Sequence, residues 1–433
     1  MNSSNLNRMV SVPLYTAVSM SVLFLLYMNL PYWYDQYQTS VTYAPMLFML
    51  FIAAAVVLFI TDIRQSAKFL MTPYAKWCIA VMLVHILNAM RVHILDFPEN
   101  YQVEAIDRMQ LFALAPTLAY LMFRVPSEHY SRLIGIVAIL CPITLLANFA
   151  YPQIFETAEL LGRENLSNRI TGFWLNPNIA GEMVILALLM AYRHVNKNVY
   201  TVIVLACAAG ILLTASRSGA VALLFITLPL LFTRRIPLWI LGVFLGVGLS
   251  FQAVMQYIDN VAYDAGRQGT ALVLLDRLDN QFAGDEDTST ESRLQAASVA
   301  LSKSGEQFVI GHGYNYVDET WEIGTHNMVV AWTYLYGVVG LALWGYLAYA
   351  LFVKTFNRYD LLLPLMVFVW YSMFSHNILQ TTQWFIFLGW VFSVTPQKEL
   401  HSRSHRYSDP RLRRGSRRSS SPSRRRRRTR SQI

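Results

Sequence analysis

The sequence predicts an all-α polytopic integral membrane protein of about 12 transmembrane helices, with one long extracytoplasmic loop and a disordered basic C-terminal tail. Three observations carry this. Of 433 residues, 55% are hydrophobic and 14% charged, with mean hydropathy +0.36, whereas a soluble domain has about 25% charged residues. Apolar runs of about 20 residues, the length that crosses a bilayer, recur along the chain. The short connections alternate between basic and acidic or uncharged, the pattern that orients a membrane chain.

In order, the spans fall near 10–30, 41–61, 76–95, 109–123, 132–150, 178–192, 199–214, 218–233, 236–258, 326–353, 361–375 and 382–396. The first run, Val10 to Leu30, lacks a small-residue cleavage site and reads as a membrane helix rather than a leader. His376 to Gln383 reads either as the turn between the last two spans or as a re-entrant break. Arg64, Lys68 and Lys76 occupy the second connection, Arg124 and Arg132 the fourth, Arg193 and Lys197 the sixth, Arg234 and Arg235 the eighth, Lys354 and Arg358 the tenth. The intervening connections, such as D-F-P-E-N-Y-Q-V-E-A-I-D, are acidic or neutral. This puts both termini in the cytoplasm and makes 259–325 a long outer loop. The chain thus divides into helices and short loops over 1–258, the loop 259–325, three further spans over 326–397, and a tail over 398–433.

Residues 401–433 hold 13 Arg, no Lys and one Asp, so the net +9 of the whole chain becomes about −3 without them. This arginine–serine tail cannot bury a core. On a cytoplasmic membrane face it reads as an arm held to anionic lipid or as a topology determinant, ahead of a nucleic-acid segment. Cys78, Cys141 and Cys207 all lie in apolar runs and form neither a disulfide framework nor a metal cluster.

The unusual polar residues gather on the outer side. Arg217 stands in T-A-S-R-S-G-A, a turn with almost no polar length, where Ser216 and Ser218 can cap the next helix. Free N–H groups and the positive helix end favour an anion there, and a guanidinium grips phosphate oxygens in bidentate fashion. The plainer reading is an arginine snorkelling to headgroups. Arg169 precedes N-P-N at 176–178, where Asn176 and Pro177 suit a helix entry and Arg169 is left to contact phosphate or sugar. Arg293, in S-T-E-S-R-L-Q-A-A-S-V-A-L, falls on an amphipathic helix with a capping-box-like start, as a solvated residue or a site residue. His326 and Asn327 sit where the polar, glycine-rich V-I-G-H-G loop segment gives way to the apolar run A-W-T-Y-L-Y-G-V-V-G. His326 can act as a general base near neutral pH or as a polar seam residue. His376, His312 and His85 are weaker candidates. Arg91 is an intramembrane arginine that either meets substrate or pairs with Asp96 or Asp107. Asp285-Glu286-Asp287 reads as a solvated turn, and no metal-ligand spacing, Walker A loop, H-E-x-x-H or G-x-S-x-G is found.

R-I-T-G-F-W-L-N-P-N-I-A-G, then T-A-S-R-S-G-A, then the long outer loop, then G-H-G, T-H-N and G-V-V-G, in this order across about 165–390, resemble the O-antigen ligase and polymerase superfamily. The resemblance implies a metal-independent, inverting glycosyltransferase without cofactor on the periplasmic face of the bacterial inner membrane. Its donor would be a glycan on undecaprenyl diphosphate. The acceptor would be lipid A-core in a ligase, a second lipid-linked glycan in a polymerase, or a serine or threonine hydroxyl in protein-modifying relatives. By motif, the catalytic roles fall on Arg217, Arg293 and His326. Arg169, Arg91, Asn327, Ser216, Ser218 and His376 are expected to contact substrate. The basic tail is no part of the family pattern. Ligation is expected ahead of polymerisation, because T-H-N at the mouth of the tenth span is the more ligase-like arrangement. A transporter is the competing class, disfavoured by the absence of repeated halves and by the one-sided polar set.

Overall fold

A computed structural model describes residues 16–37, 59–60, 62–95, 99–125, 127–155, 170–174, 176–214, 216–249, 288–313, 327–355, 362–375, 378–379 and 381–393, with isolated positions at 52, 56 and 257. The chain divides into two units, Met1–Phe392 and Ser393–Ile433. Only Ser393 of the second is described, and the basic tail lies outside the described residues, as do Asp285-Glu286-Asp287 and nearly all of the span expected over 41–61.

The described residues are helical, with no strand among them. The helices are α1 (Thr16–Tyr27), α2 (Leu30–Tyr37), α3 (Ile63–Leu70), α4 (Pro73–Ile94), α5 (Glu99–Arg124), α6 (Ser127–Ala150), α7 (Pro152–Phe155), α8 (Pro177–Ala191), α9 (Lys197–Thr214), α10 (Arg217–Phe232), α11 (Trp239–Leu249), α12 (Thr288–Ser304), α13 (Met328–Thr355), α14 (Leu362–Phe374) and α15 (Thr382–Ser393). Among the described residues, stretches of α4, α6, α9 and α13 are long and apolar enough to cross a membrane, and α1, α8, α10 and α14 are shorter apolar helices.

Helix starts follow local chemistry. Thr72 and Asn176 cap α4 and α8 through their side chains, each followed by proline at the first helical position, where the missing N–H costs nothing. The first two connections carry the short helices α2 and α3, and the third differs more from the expectation. The acidic stretch expected as a loop between the third and fourth spans is helical from Glu99 onward, so α5 runs unbroken to Arg124. Pro98 ahead of it and the helix-forming composition of the stretch account for this.

Helix α8 is apolar but for Asn178 and Glu182 and is buried along nearly its whole length, the condition of a central helix. It packs against α6, α9 and α10, and the Tyr27 hydroxyl of α1 donates to the Met183 carbonyl at 2.7 Å. A second layer forms from α4, α5, α13 and α14, with Trp77 stacked on Trp332 at 6.4 Å and Phe112 against Phe385. Outward faces are apolar stripes. Leu83, Leu87, Met90 and Ile94 on α4 and Ile136, Ile139, Ile143 and Leu146 on α6 are all exposed at helical spacing. Such stripes suit lipid rather than water. Two cationic ties hold the ends that the sequence assigns to the cytoplasm. Arg124 pairs with Asp62 at 2.6 Å. Arg235 donates to the Tyr192 and Val195 carbonyls at 2.6 and 2.5 Å.

Candidate functional site

The turn carrying Arg217 is built from both sides. Ser216 ends the α9–α10 turn, is buried, and its Oγ accepts from the Gly219 amide at 3.2 Å as the cap of α10. Gly181 of α8 packs so closely on this turn that an added Cβ would stand 3.1 Å from the Ser216 Cβ and Oγ. From the other side, Trp370 of α14 donates its indole N–H to the Ser218 carbonyl at 3.1 Å. Ser216 Oγ and Ser218 Oγ lie 3.3 Å apart. Arg217 itself is half-buried at the first position of α10. A cation at a helix N-terminus opposes the helix dipole by about 0.3–1 kcal/mol, so the helix gains nothing electrostatic from this arginine. An anion placed there would be favoured by the guanidinium and by the helix end together.

The second part is where α12 meets α13. Ala300 of α12 packs with Val330 and Tyr334 of α13, and the Val338 amide donates to the Phe308 carbonyl at 2.7 Å. The two segments therefore run in the same direction, in a register offset by some thirty residues. The Arg293 backbone lies seven residues and about 10 Å before Ala300 along α12, level with the start of α13. The Arg293 side chain lies outside those described.

Asn327 is a helix cap. Its Oδ1 accepts from the Val330 amide at 3.1 Å. Inside α13, Gly337 has φ +61° and ψ −147°, a break in an otherwise continuous helix. The Gly311-His312-Gly313 segment fits into this break, with the His312 and Gly313 amides donating to the Tyr334 and Leu335 carbonyls at 2.9 and 2.8 Å. Arg91 holds the same segment. It donates to the Gly311 carbonyl and to Gln307 Oε1, each at 3.0 Å. Its described partners thus lie in the segment after α12, while Asp96 and the Asp107 side chain lie outside the described residues. His312 is buried, stacked on Tyr334, with Nε2 2.9 Å from the Lys303 carbonyl. His85 is buried against Phe112 and Tyr336. Both are packed into protein rather than presented at a site. Arg169, His326 and His376 lie outside the described residues.

One polar residue was missed in the sequence. Glu182 is fully inside the bundle, 2% exposed. Its Oε2 accepts from the Trp384 indole at 3.3 Å, and it hydrogen-bonds Ser375, the last described residue before His376. The buried Tyr371 hydroxyl, one turn before Ser375, makes no hydrogen bond among the described residues. The signal available was a carboxylate inside an apolar run, which by default marks function in a membrane helix. A cavity of about 380 Å³ opens between the end of α1, the Gly172–Trp174 turn, α8 and the start of α15, lined among others by Asn29, Tyr32, Trp174, Ile179, Thr381 and Gln383. Among the described residues, no arginine or lysine lines it. Among the described residues, no group of three or more His, Cys, Asp or Glu could hold a metal ion.

The fold and the lipid-facing stripes define a multi-pass membrane protein. The family model described as O-antigen ligase matches residues 202–345, which hold Arg217, Arg293, His326 and Asn327. The match covers a third of the chain, and the helices long and apolar enough to cross a membrane accord with a multi-pass membrane protein. No curated protein matches the chain.

Proposed function

We propose that the chain is a periplasmic-face glycosyltransferase that moves a glycan from undecaprenyl diphosphate to an acceptor hydroxyl, as an O-antigen ligase acting on lipid A-core. The observation that carries this reading is Arg217 at the positive end of α10, in a turn that Gly181 packs on at Ser216 and Trp370 holds at the Ser218 carbonyl. The diphosphate leaving group gathers negative charge as the anomeric carbon–oxygen bond breaks, and a preorganised guanidinium stabilises that charge. Arg293 supports it from α12. His326, two residues before α13 in the sequence, accepts the acceptor hydroxyl's proton as attack proceeds from the face opposite the diphosphate, inverting the linkage. Among the described residues, the cavity beside α8 is lined by aliphatic, aromatic, amide and hydroxyl groups, a lining of the mixed kind that small-molecule sites have.

The test is transfer of purified lipid-linked glycan to lipid A-core. Arg217→Ala lowers kcat by about 10²–10³-fold, as loss of one preorganised donor does, and His326→Ala by about 10²–10⁴-fold. Full activity in both variants, with normal expression and folding, overturns the mechanism. In cells lacking the chain, uncapped core with long polymer still on its carrier means ligase. Core bearing a single repeat, without long chains, means polymerase.

A further inference from the structure

Phe308, Val309 and Ile310 form the tip of the turn that follows α12, and they are 51%, 65% and 59% exposed. Three consecutive large apolar side chains turned outward are costly in water, at about 25 cal/mol for each Å². The tip adjoins a surface that is itself apolar. The Phe308 carbonyl is bonded to the Val338 amide, and Val338, Val339 and Leu341 are exposed on α13. Below Gly337, Tyr349, Phe352 and Val353 continue the exposed apolar face toward Lys354. Above it, Met328, Val330, Ala331, Trp332, Tyr334 and Tyr336 are buried in protein.

The height of the tip follows from helix geometry. The hydrocarbon layer is about 30 Å thick, and a helix rises about 1.5 Å per residue. Counting upward from Lys354, the last-turn cation of α13, the layer ends about 20 residues earlier, near residues 334–338. The tip is paired with α13 at that level. Behind it, Arg91 bonds Gln307 and Gly311, the residues that flank the tip, so a cation stands at the polar boundary while the apolar side chains point past it.

We infer that the outer loop re-enters the membrane, with Phe308-Val309-Ile310 inserted among the acyl chains of the outer leaflet. This anchor fixes the height of α12 and of the head of α13 above the lipid. It stands independently of the transferase reading.

The experiment places a nitroxide at Val309→Cys, and separately at the exposed Glu306→Cys, in the full chain in phospholipid nanodiscs. The three native cysteines are buried and do not take up the label. Collision with oxygen and with a water-soluble nickel chelate reports depth. The label at 309 is expected about 5–10 Å below the headgroup boundary, and the label at 306 in water. A label at 309 as open to nickel as that at 306 overturns the anchor. Spin–spin coupling between copies at 309 also overturns it and assigns the tip to self-association. A Phe308→Ser, Val309→Ser, Ile310→Ser variant gives a second readout. It is expected to lose melting temperature in nanodiscs and not in detergent, and an equal effect in both counts against lipid contact.

Discussion

Replacing Gly337 by alanine tests the join between α13 and the Gly311–Gly313 segment. At φ +61° and ψ −147°, the backbone occupies a region open essentially to glycine alone, so another residue costs about 1–3 kcal/mol. The new Cβ would also stand 2.3 Å from the Phe308 oxygen and 2.6 Å from the Val309 carbonyl carbon. These are backbone atoms that cannot rotate away, and overpacking of this kind costs about 1–3 kcal/mol more. The sum, about 2–6 kcal/mol, falls on one local set of hydrogen bonds rather than on the whole bundle. At about 1.4 kcal/mol per tenfold, it speeds local opening roughly 30-fold to 10⁴-fold. Hydrogen exchange followed by mass spectrometry in nanodiscs reads this in peptides covering 305–313 and 334–340, whose amides at His312, Gly313 and Val338 make the join. Gly345→Ala on the same helix meets nothing within 4 Å and leaves these peptides unchanged. Unaltered exchange in Gly337→Ala would refute the account of the kink.

Two further outcomes follow. Glu182→Leu strands the Trp384 indole N–H without an acceptor inside the bundle and costs about 1–3 kcal/mol, whereas Glu182→Gln keeps an acceptor oxygen and most of the stability. Thermal unfolding of both in one detergent decides this, and a leucine variant as stable as wild type removes Glu182 from the structural account. Asp62, hydrogen-bonded by Arg124, has its carboxyl held below the usual carboxylate range. The pair therefore stabilises the fold at pH values above the ordinary carboxylate pKa, and this contribution fades as pH falls through the depressed value. Wild type and Asp62→Asn should differ in melting temperature at neutral pH and converge in acid. A gap that persists or widens in acid would contradict the pairing.

Much of the fold was legible because membrane helices are written in local terms. Asn176-Pro177 and Ser216 announced helix starts by side-chain chemistry alone, and the helix of Arg293 was visible in its capping-box-like start. What was hidden depends on distant partners. Gly337 looks like any glycine in a 28-residue apolar run, and its kink exists because Phe308 and Val309 come against it. Arg91 reads as a candidate for nearby aspartates, and the acceptors described for it lie more than 200 residues away. Glu182 closes a helix-entry motif in the sequence, and Trp384, its partner, is 202 residues away. The helix over 99–108 was masked by its charge, which hydropathy reads as loop and which helix propensity does not penalise.

The matched stretch 202–345 is no transplantable module. Its arginine turn rests on Gly181 before it and hangs from Trp370 after it, and its Gly311–Gly313 segment is held by Arg91 from a helix more than a hundred residues upstream. Cut out, or grafted between foreign helices, the stretch would keep its residues and lose the three contacts that aim them. A chimaera exchanging this stretch between two such chains must therefore carry the matching glycine, tryptophan and arginine with it.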